Sequence, residues 1–264
     1  MDQQLLNAFL DKVRPLAQAA GRAILQIAGE DIGVTEKSDG SPLTRADMAA
    51  HRTIQDGLSK LEPVFPILSE EGDLDNLQEH KWGTYWCVDP LDGTKEFVKG
   101  LADYTVNIAL VIDSKPVLGA IDIPAVGVTY TAARGLGAWK YQRDAPPEQI
   151  APSTRTKPES AVVSRSHLDD ETRQFLEALG ITNVIPHGSS LKICAVADGT
   201  ADIYPRFGPT CLWDTAAGAA IAIEAGCKVV DLAGDDLVYD PGQNIKHAGF
   251  IVSPEGVQLP VARE

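Results

Sequence analysis

The spacing of apolar residues changes twice along this chain, and that change limits the folds it can adopt. At the start, apolar residues recur every three or four positions over Leu5–Ile27 and again over Thr44–Leu61, which predicts two amphipathic helices. Short apolar runs follow and predict strands at 64–68, 85–88, 105–112, 117–123 and 128–133. Turn signals between the last three runs favour an antiparallel meander.

The segment 141–158 lacks apolar periodicity and separates this part from the rest of the chain. Beyond it, strand-like and helical patterns alternate, which is typical of an α/β arrangement. The predicted elements are strands at 160–164, 183–185, 201–204, 228–231 and 249–252, and helices at 169–179, 191–197 and 214–224. We therefore predict an α/β protein with an α+β first half, residues 1–145, and an α/β second half, residues 146–264.

Charge and hydropathy exclude several function classes. With 23 basic and 37 acidic residues, the formal net charge is -14, which argues against a basic face for polymeric nucleic acid or anionic lipid. No uncharged apolar stretch approaches the ~18 residues of a transmembrane helix, and no leader pattern is visible, so a cytoplasmic protein is expected. A small anionic substrate is compatible only if a local positive centre, such as bound metal, offsets the acidic chain.

Four separated carboxylates form the candidate functional site. Asp89 and Asp92 lie three residues apart after an apolar strand, around a Pro and a Gly, which is also an ordinary turn composition. Glu70 follows the preceding strand, and Asp214 stands at a strand-to-helix junction. Strands that end side by side would bring all four to one edge, where carboxylates stay ionised together only with cations between them. Oxygen ligands without paired His or thiolates favour Mg²⁺ first and Mn²⁺ second.

These carboxylates stand in motifs that resemble the inositol monophosphatase superfamily of metal-dependent, lithium-sensitive phosphatases. The motifs are Ser69-Glu-Glu71, Asp89-Pro-Leu-Asp-Gly-Thr94 and Trp213-Asp-Thr-Ala-Ala-Gly218. One branch in particular, the CysQ-type 3′(2′),5′-bisphosphate nucleotidases, is similar in the segments 89–97, 164–167, 188–192 and 204–210. The resemblance extends over nearly the whole chain. It implies a layered αβαβα sandwich with the active site between the two halves.

The resemblance also implies roles for individual residues. The ligands of two or three Mg²⁺ would be Glu70, Asp89, the carbonyl of Leu91, Asp92 and Asp214. Thr94 and Asp47 would orient and deprotonate the attacking water, with Glu70 as a third catalytic residue. The backbone N–H groups of Gly93 and Thr94, at a predicted helix start, would bind phosphate oxygens.

A second phosphate on the substrate needs positive groups, and this acidic chain offers few. Lys192 and Arg206 lie in the branch-specific segments, with Ser189 and Ser190 as hydroxyl donors and Asp214 as a further substrate contact. On spacing alone, the two cations are better explained as surface residues, and only the resemblance makes phosphate contact an equal alternative.

Three of the named residues have an alternative or a weaker assignment. Asp47 lies three residues after Thr44 at the head of a predicted helix, which is the spacing of a capping box. Asp214 precedes Thr-Ala-Ala-Gly and is equally plausible as an N-cap. Lys37, in a Gly/Ser/Pro-rich loop, is a weaker candidate to approach a metal-bound water or the phosphate.

The activity that the resemblance implies is hydrolysis of the 3′-phosphate of adenosine 3′,5′-bisphosphate to AMP and phosphate, a reaction linked to sulfate assimilation. An inositol, fructose or histidinol phosphatase of the same superfamily is the alternative, and a non-catalytic ligand-binding protein with this fold is a third. Peripheral association with the inner face of the cell membrane is a family-level expectation that the net charge disfavours. No sequence feature indicates an oligomeric state.

Overall fold

The computed structural model describes residues 1–29, 32–37, 40–75, 77–79, 82–165 and 168–258. Residues 166 and 167, the last two of the segment 164–167, therefore lie outside the described residues. The helices in the described part are α1 Gln3–Ala28, α2 Arg45–Leu58, α3 Thr94–Val98, α4 Asp170–Leu179, α5 Leu191–Ala197 and α6 Leu212–Ala225, with a 3-10 turn at Leu77–Glu79.

A seven-stranded sheet forms the centre of the first half. A small hairpin of β1 Thr35–Glu36 and β2 Pro42–Leu43 precedes α2. The sheet then contains, in both chain and spatial order, β3 Ile67–Ser69, β4 Thr84–Asp92, β5 Thr105–Ile112, β6 Lys115–Ile123, β7 Val128–Ala133, β8 Ala138–Gln142 and β9 Glu148–Gln149. β3 pairs parallel with β4, and every later neighbour is antiparallel. The predicted meander is confirmed.

The second half contains shorter strands in three groups. They are the parallel pair β10 Ser160–Ser164 and β11 Asn183–His187, the antiparallel sheet of β12 Tyr204–Arg206, β14 Cys227–Val230 and β16 Phe250–Pro254, and the pair β13 Thr210–Cys211 and β15 Lys246–His247. A parallel bridge between Ala161 and Ile203 joins the first group to the second.

Three apolar clusters hold these elements in five layers. α1 and α2 bury one face of the large sheet, where Val13 and Ile54 belong to one cluster with Trp86. α5 and α6 cover the opposite face and also contact the second sheet. On the outside of that sheet, Leu176 of α4 packs with Ile251. Because burying one such side chain contributes about 1.5–3 kcal/mol, these contacts fix the layer order. The predicted αβαβα sandwich is confirmed.

The position of α6 follows from its composition. Its sequence is Ala-rich and apolar around most of its circumference, and a helix of that kind is stable only when it is buried. Its small residues permit close approach to the sheet, since a Cβ built on Gly119 of β6 would lie 2.3 Å from the carbonyl oxygen of Ala217. α6 therefore occupies the central helical layer, and its first turn lies at the candidate site.

Three predictions about the elements were wrong in detail. The strand expected at 64–68 begins only at Ile67, and the strand expected at 201–204 is observed as Tyr204–Arg206. The sequence Asp89-Pro-Leu-Asp92, interpreted from its composition as part of a turn, belongs to β4, and the turn begins at Gly93. The strand continues because β5 pairs with both ends of that motif, with a register shift between Asp89 and Asp92.

The division of the chain at residue 145 stays a prediction. The large sheet extends past that point to β9, and one apolar cluster contains residues of both halves. Among the described helices, none has the combination of length and apolar content that crossing a bilayer requires.

Candidate metal centre and active site

Three carboxylates from three different elements meet where β3 and β4 end. Glu70 follows β3, Asp89 lies in β4, and Asp214 lies in the first turn of α6. One oxygen from each lies within 4.8 Å of the other two. The parallel pairing of β3 with β4 sets this alignment, because the Glu70 N–H donates to the carbonyl oxygen of Val88 at 3.1 Å. The predicted convergence of these three residues is therefore observed.

The irregularity in β4 places Asp92 beside this cluster. Asp89 Oδ1 accepts from the Leu91 N–H at 3.0 Å, which closes a tight local loop within the strand. Asp92 Oδ2 accepts from the Ser190 N–H at 2.6 Å, so Asp92 links the first half of the chain to the second. The Leu91 carbonyl oxygen lies 3.1 Å from Thr94 Oγ1, which is the longer of two acceptor contacts that share the one hydrogen of this hydroxyl.

The electrostatics of the cluster favour a cation. Burial raises the pKa of Glu70 to about 7, and repulsion from Asp214 adds to the effect against the attraction of Lys37. Burial and repulsion from Asp214 likewise raise the pKa of Asp92 to about 7. The pKa of Asp89 is raised well above its usual value by burial and by the other three carboxylates. Oxygen ligands crowded in this way fit a hard divalent cation, which would hold them ionised together.

Lys37 is the nearest cation to this cluster. Its Nζ donates to Glu70 Oε1 at 2.7 Å and also to Glu71 Oε1. Burial lowers the pKa of this ammonium, but Glu70 and Glu71 outweigh burial and the net pKa is raised. The structure places Lys37 on the carboxylate of a predicted metal ligand, and its approach to a metal-bound water or phosphate stays a prediction.

Asp47 makes the hydrogen bonds that both of its alternative assignments require. Its Oδ2 accepts from the backbone N–H of Thr44 at 2.8 Å, and the Thr44 hydroxyl donates to the same oxygen at 2.6 Å. These bonds belong to the capping box that begins α2, which confirms that interpretation. The other oxygen, Oδ1, accepts from Thr94 Oγ1 at 2.9 Å. The predicted Asp47–Thr94 pair is therefore present, and one carboxylate serves both helix and site.

Asp214 resembles Asp47 in its local structure. It is the third helical residue of α6 rather than the N-cap, which is Cys211, so the N-cap alternative was wrong. Its Oδ2 accepts from the Cys211 N–H at 2.9 Å and from the Thr210 hydroxyl at 2.8 Å. Because the capping bonds use Oδ2, the carboxylate is held rigidly while it contributes an oxygen to the acidic cluster.

Across from the acidic cluster, a cationic wall consists of Lys192 in α5 and Arg206 in β12. Both residues line one 140 Å³ cavity together with Asp92 and Asp214. Lys192 is only 5% exposed, and its Nζ donates to the Ser189 carbonyl oxygen at 2.6 Å. Burial, followed by repulsion from Arg206, lowers its pKa to about 8 against the attraction of Asp92.

The loop before α5 brings the remaining predicted residues to this cavity. Gly93, Ser189 and Ser190 all line it. Gly93 has a φ of 91°, and a Cβ there would lie 2.9 Å from the Asp103 carbonyl oxygen, so the close approach requires glycine. The Ser190 hydroxyl is buried and donates to Asn107 Oδ1 at 2.7 Å, so it is committed within the protein.

Sequence reasoning missed the residues that hold this loop. Thr105 and Asn107 lie in the apolar strand β5, are fully buried, and bond the Ser190 hydroxyl. Asp103 Oδ2 accepts from the Gly188 N–H at 3.0 Å and from Arg165 at 2.6 Å. The available signal was the polar Asn107 inside the run Thr-Val-Asn-Ile-Ala-Leu, since a buried polar side chain needs a partner.

The chain belongs to the inositol monophosphatase family, whose profile matches residues 6–259. The 3′(2′),5′-bisphosphate nucleotidase CysQ of Escherichia coli K12 is 46% identical over 247 residues, which cover 93% of this chain and 99% of that protein. The crystal structure of CysQ from Bacteroides thetaiotaomicron superimposes with a TM-score of 0.81 at 41% identity, covering 94% of this chain and 97% of that one. An inositol monophosphatase from Anabaena is more distant, with 26% identity, a TM-score of 0.73 and coverage of 94% and 91%.

Proposed function

We propose that this protein is a Mg²⁺-dependent phosphatase that removes the 3′-phosphate from adenosine 3′,5′-bisphosphate and releases AMP and phosphate. The observation that carries the proposal is that carboxylates and cations line one pocket. Asp214 of the acidic cluster lines it together with Asp92, Lys192 and Arg206, and one oxygen each of Glu70 and Asp89 lies within 4.8 Å of an oxygen of Asp214. The carboxylates fit metal ions, and the cations fit a second phosphate.

The metal would be held by the acidic cluster together with Asp92 and the Leu91 carbonyl oxygen. Bound divalent cations neutralise phosphoryl oxygens and lower the pKa of the attacking water. Such neutralisation matters because phosphate monoesters hydrolyse very slowly without a catalyst. The proposal includes two or three bound Mg²⁺ ions, which Mn²⁺ could replace.

Proton transfer from the attacking water is assigned to the pair of Thr94 and Asp47. Thr94 Oγ1 donates its hydrogen to Asp47 Oδ1 at 2.9 Å, which leaves its lone pairs directed away from that bond. A water that donates to Thr94 Oγ1 can lose its proton along this bond toward Asp47. Because Oδ2 is held by Thr44, the carboxylate keeps its orientation during the transfer.

Phosphate binding is assigned to groups on both sides of the cavity. On the first side, the backbone N–H groups of Gly93 and Thr94 at the start of α3 would bind oxygens of the reacting phosphate. On the other side, Lys192 has N–H groups beyond the one that bonds Ser189 and would bind the second phosphate together with Arg206. Ser189 contributes to the same loop, and Asp214 would contact both metal and substrate.

The identity of the substrate is supported by relatives rather than by the pocket alone. Relatives named as bisphosphate nucleotidases reach 46% identity, and a solved inositol monophosphatase reaches 26%. The alternative, an inositol, fructose or histidinol phosphatase, would use the same acidic cluster. The convergence of Glu70, Asp89 and Asp214 and the hydrogen bond between Thr94 and Asp47 support a catalytic protein over a non-catalytic binding protein.

A parallel assay of phosphate release tests the proposal. The purified protein with Mg²⁺ is given adenosine 3′,5′-bisphosphate, inositol 1-phosphate, fructose 1,6-bisphosphate and histidinol phosphate. Preference for the nucleotide supports the proposal. Preference for another substrate would reassign the pocket within the family. No phosphate release from any of the four would favour a non-catalytic binding protein.

The remaining parts of the proposal concern the cell. A role in sulfate assimilation follows if the nucleotide is the substrate, and inhibition by lithium follows from the family resemblance. We propose a cytoplasmic location, with peripheral contact at the inner membrane face as the less favoured alternative for a chain of net charge -14.

A further inference from the structure

A second polar cavity lies on the outer side of the first half, away from the active site. It has a volume of 410 Å³, within the range of small-ligand sites, and lies between α1 and the β6–β7 and β8–β9 connections. We call it the arginine pocket, because its lining includes Arg14, Arg22 and Arg143. It shares no lining residue with the 140 Å³ cavity of the active site.

The charges of these three arginines are not neutralised by direct pairing. In the part of the chain that the structure describes, none of them forms an ion pair, although the chain has 37 acidic residues. The guanidinium of Arg14 lies 4.5 Å from the centre of the Tyr141 ring, which holds its plane in place. Arg22 and Arg143 are exposed at the pocket rim. Guanidinium groups of this kind are suited to bidentate bonds with oxyanions.

The floor of the arginine pocket is rigid and contains one carboxylate. Asp122 is 5% exposed, and its Oδ1 accepts from the Thr129 hydroxyl at 2.8 Å. Gln18 of α1 donates to the same hydroxyl at 3.0 Å and so ties the helix to the sheet. Burial raises the pKa of Asp122 to about 6 against the attraction of Arg22, so it is ionised at about pH 7.5. Three guanidinium groups and one carboxylate leave a local charge of about +2.

We propose that the arginine pocket binds a small phosphate-bearing molecule at a site separate from the active site. A phosphate monoester carries close to two negative charges on one compact group at neutral pH, which matches the uncompensated charge of the pocket. A dicarboxylate has the same charge spread over two distant groups and fits less well. The proposal concerns binding alone and does not depend on the proposed function.

Calorimetric titration tests this site on the full-length protein. The protein is stripped of metal with a chelating resin, since a soluble chelator is itself a polyanion, and is titrated with inorganic phosphate, pyrophosphate and succinate. We expect binding of phosphate and pyrophosphate at one site per chain, weakened at least about tenfold in the double variant Arg22→Gln/Arg143→Gln. Both side chains are exposed, so their replacement leaves the core unchanged.

Two control variants distinguish binding in the arginine pocket from binding elsewhere on the protein. Arg173→Gln removes the same charge from the exposed surface of α4, and Lys192→Met removes the buried cation of the active site. Binding should be retained in both. No binding to the wild type, equal weakening in Arg173→Gln, or loss in Lys192→Met would overturn the proposal. Succinate binding as tight as phosphate binding would overturn the assignment to phosphate.

Discussion

The acidic wall and the cationic wall of the candidate active site carry opposite charges. Within each wall, the charges are not balanced by groups of opposite sign. On the acidic wall, burial and mutual repulsion raise the pKa values of Glu70 and Asp92 to about 7. On the cationic wall, burial and repulsion from Arg206 lower the pKa of Lys192 to about 8. Burial thus disfavours the ionised form on both walls, the carboxylates on one and the Lys192 ammonium on the other. This combination of charges is what the proposed function requires of a pocket that binds both a metal and a phosphate.

The walls also differ in how rigidly they are held. The acidic wall is built on sheet and helix backbone, with Asp89 inside β4 and Asp214 bonded twice through Oδ2 to the start of α6. Lys192 has a side chain with four rotatable bonds, and its Nζ is held by a hydrogen bond to the Ser189 carbonyl oxygen and by the Tyr204 ring, whose centre lies 5.5 Å away. A change on the acidic wall should therefore affect turnover most, and a change on the cationic wall should affect substrate binding.

The largest effect is expected for Asp92→Asn. This substitution keeps the shape of the side chain and an oxygen for the Ser190 N–H but removes a negative charge from the acidic wall. Losing a metal ligand's charge costs several kcal/mol of transition-state stabilisation, so kcat should fall about 10³-fold. Steady-state kinetics with adenosine 3′,5′-bisphosphate measures this decrease in kcat. The matched control is Asp75→Asn at an exposed position, and near-normal turnover of Asp92→Asn would refute its role.

The next effect is expected for Thr94→Val, which removes the hydroxyl that bonds Asp47 Oδ1 and keeps the branched shape. Because general-base catalysis contributes at least about 10²-fold, kcat should fall by about that factor. The melting temperature should change little, since the capping bonds of Asp47 to Thr44 remain. Thr94→Ser keeps the hydroxyl and should retain most activity. Equal rates for the two variants would exclude proton transfer through this residue.

On the cationic wall, Lys192→Met should affect binding more than turnover. The variant keeps the apolar stem in its buried site and removes a charge-assisted hydrogen bond to the second phosphate. We expect KM for adenosine 3′,5′-bisphosphate to rise about tenfold or more, with a smaller change for adenosine 3′-monophosphate. Lys228→Met, at an exposed position of β14, is the control. Equal KM changes for both substrates would contradict contact with the second phosphate.

The smallest effect concerns stability and pH in the metal-free protein. The pKa of folded Glu70 and Asp92 is about 7, above the value of an unfolded carboxyl, so the folded chain binds more protons between about pH 4 and 7. The free energy of unfolding contributed by these groups therefore falls as pH rises through that window. Thermal melting should show a decrease of a few degrees.

Added Mg²⁺ should reverse this decrease, and by more at the alkaline end of the window, where the carboxylates are ionised. In Asp92→Asn the decrease should be shallower, because one of the titrating groups is absent. A wild-type melting temperature that rises steadily from about pH 4 to 7 without metal would contradict the raised pKa values of the acidic-wall carboxylates.

The sequence predicted the metal ligands better than the residues that support them. Glu70 and Asp89 follow or lie within short apolar runs, so the rule that neighbouring strands end together was enough to bring them close. Thr105 and Asn107 gave no such signal. Their function depends on Ser190, which is 83 residues from Asn107 in sequence. A contact over that separation is decided by how α5 packs on the sheet, which periodicity does not contain.

Local chemistry alone determined the amphipathic helices, the antiparallel meander and the Thr44–Asp47 cap, because each depends on residues within a few positions of one another. The pairing of Asp47 with Thr94 was predicted only through the family resemblance, and tertiary structure alone decided that Lys37 bonds Glu70 and that Lys192 is buried at the cavity that Asp92 and Asp214 line. The physical reason is that charge compensation acts through space. A carboxylate's partner is set by the layers that bring distant segments together, and only the packed chain specifies them.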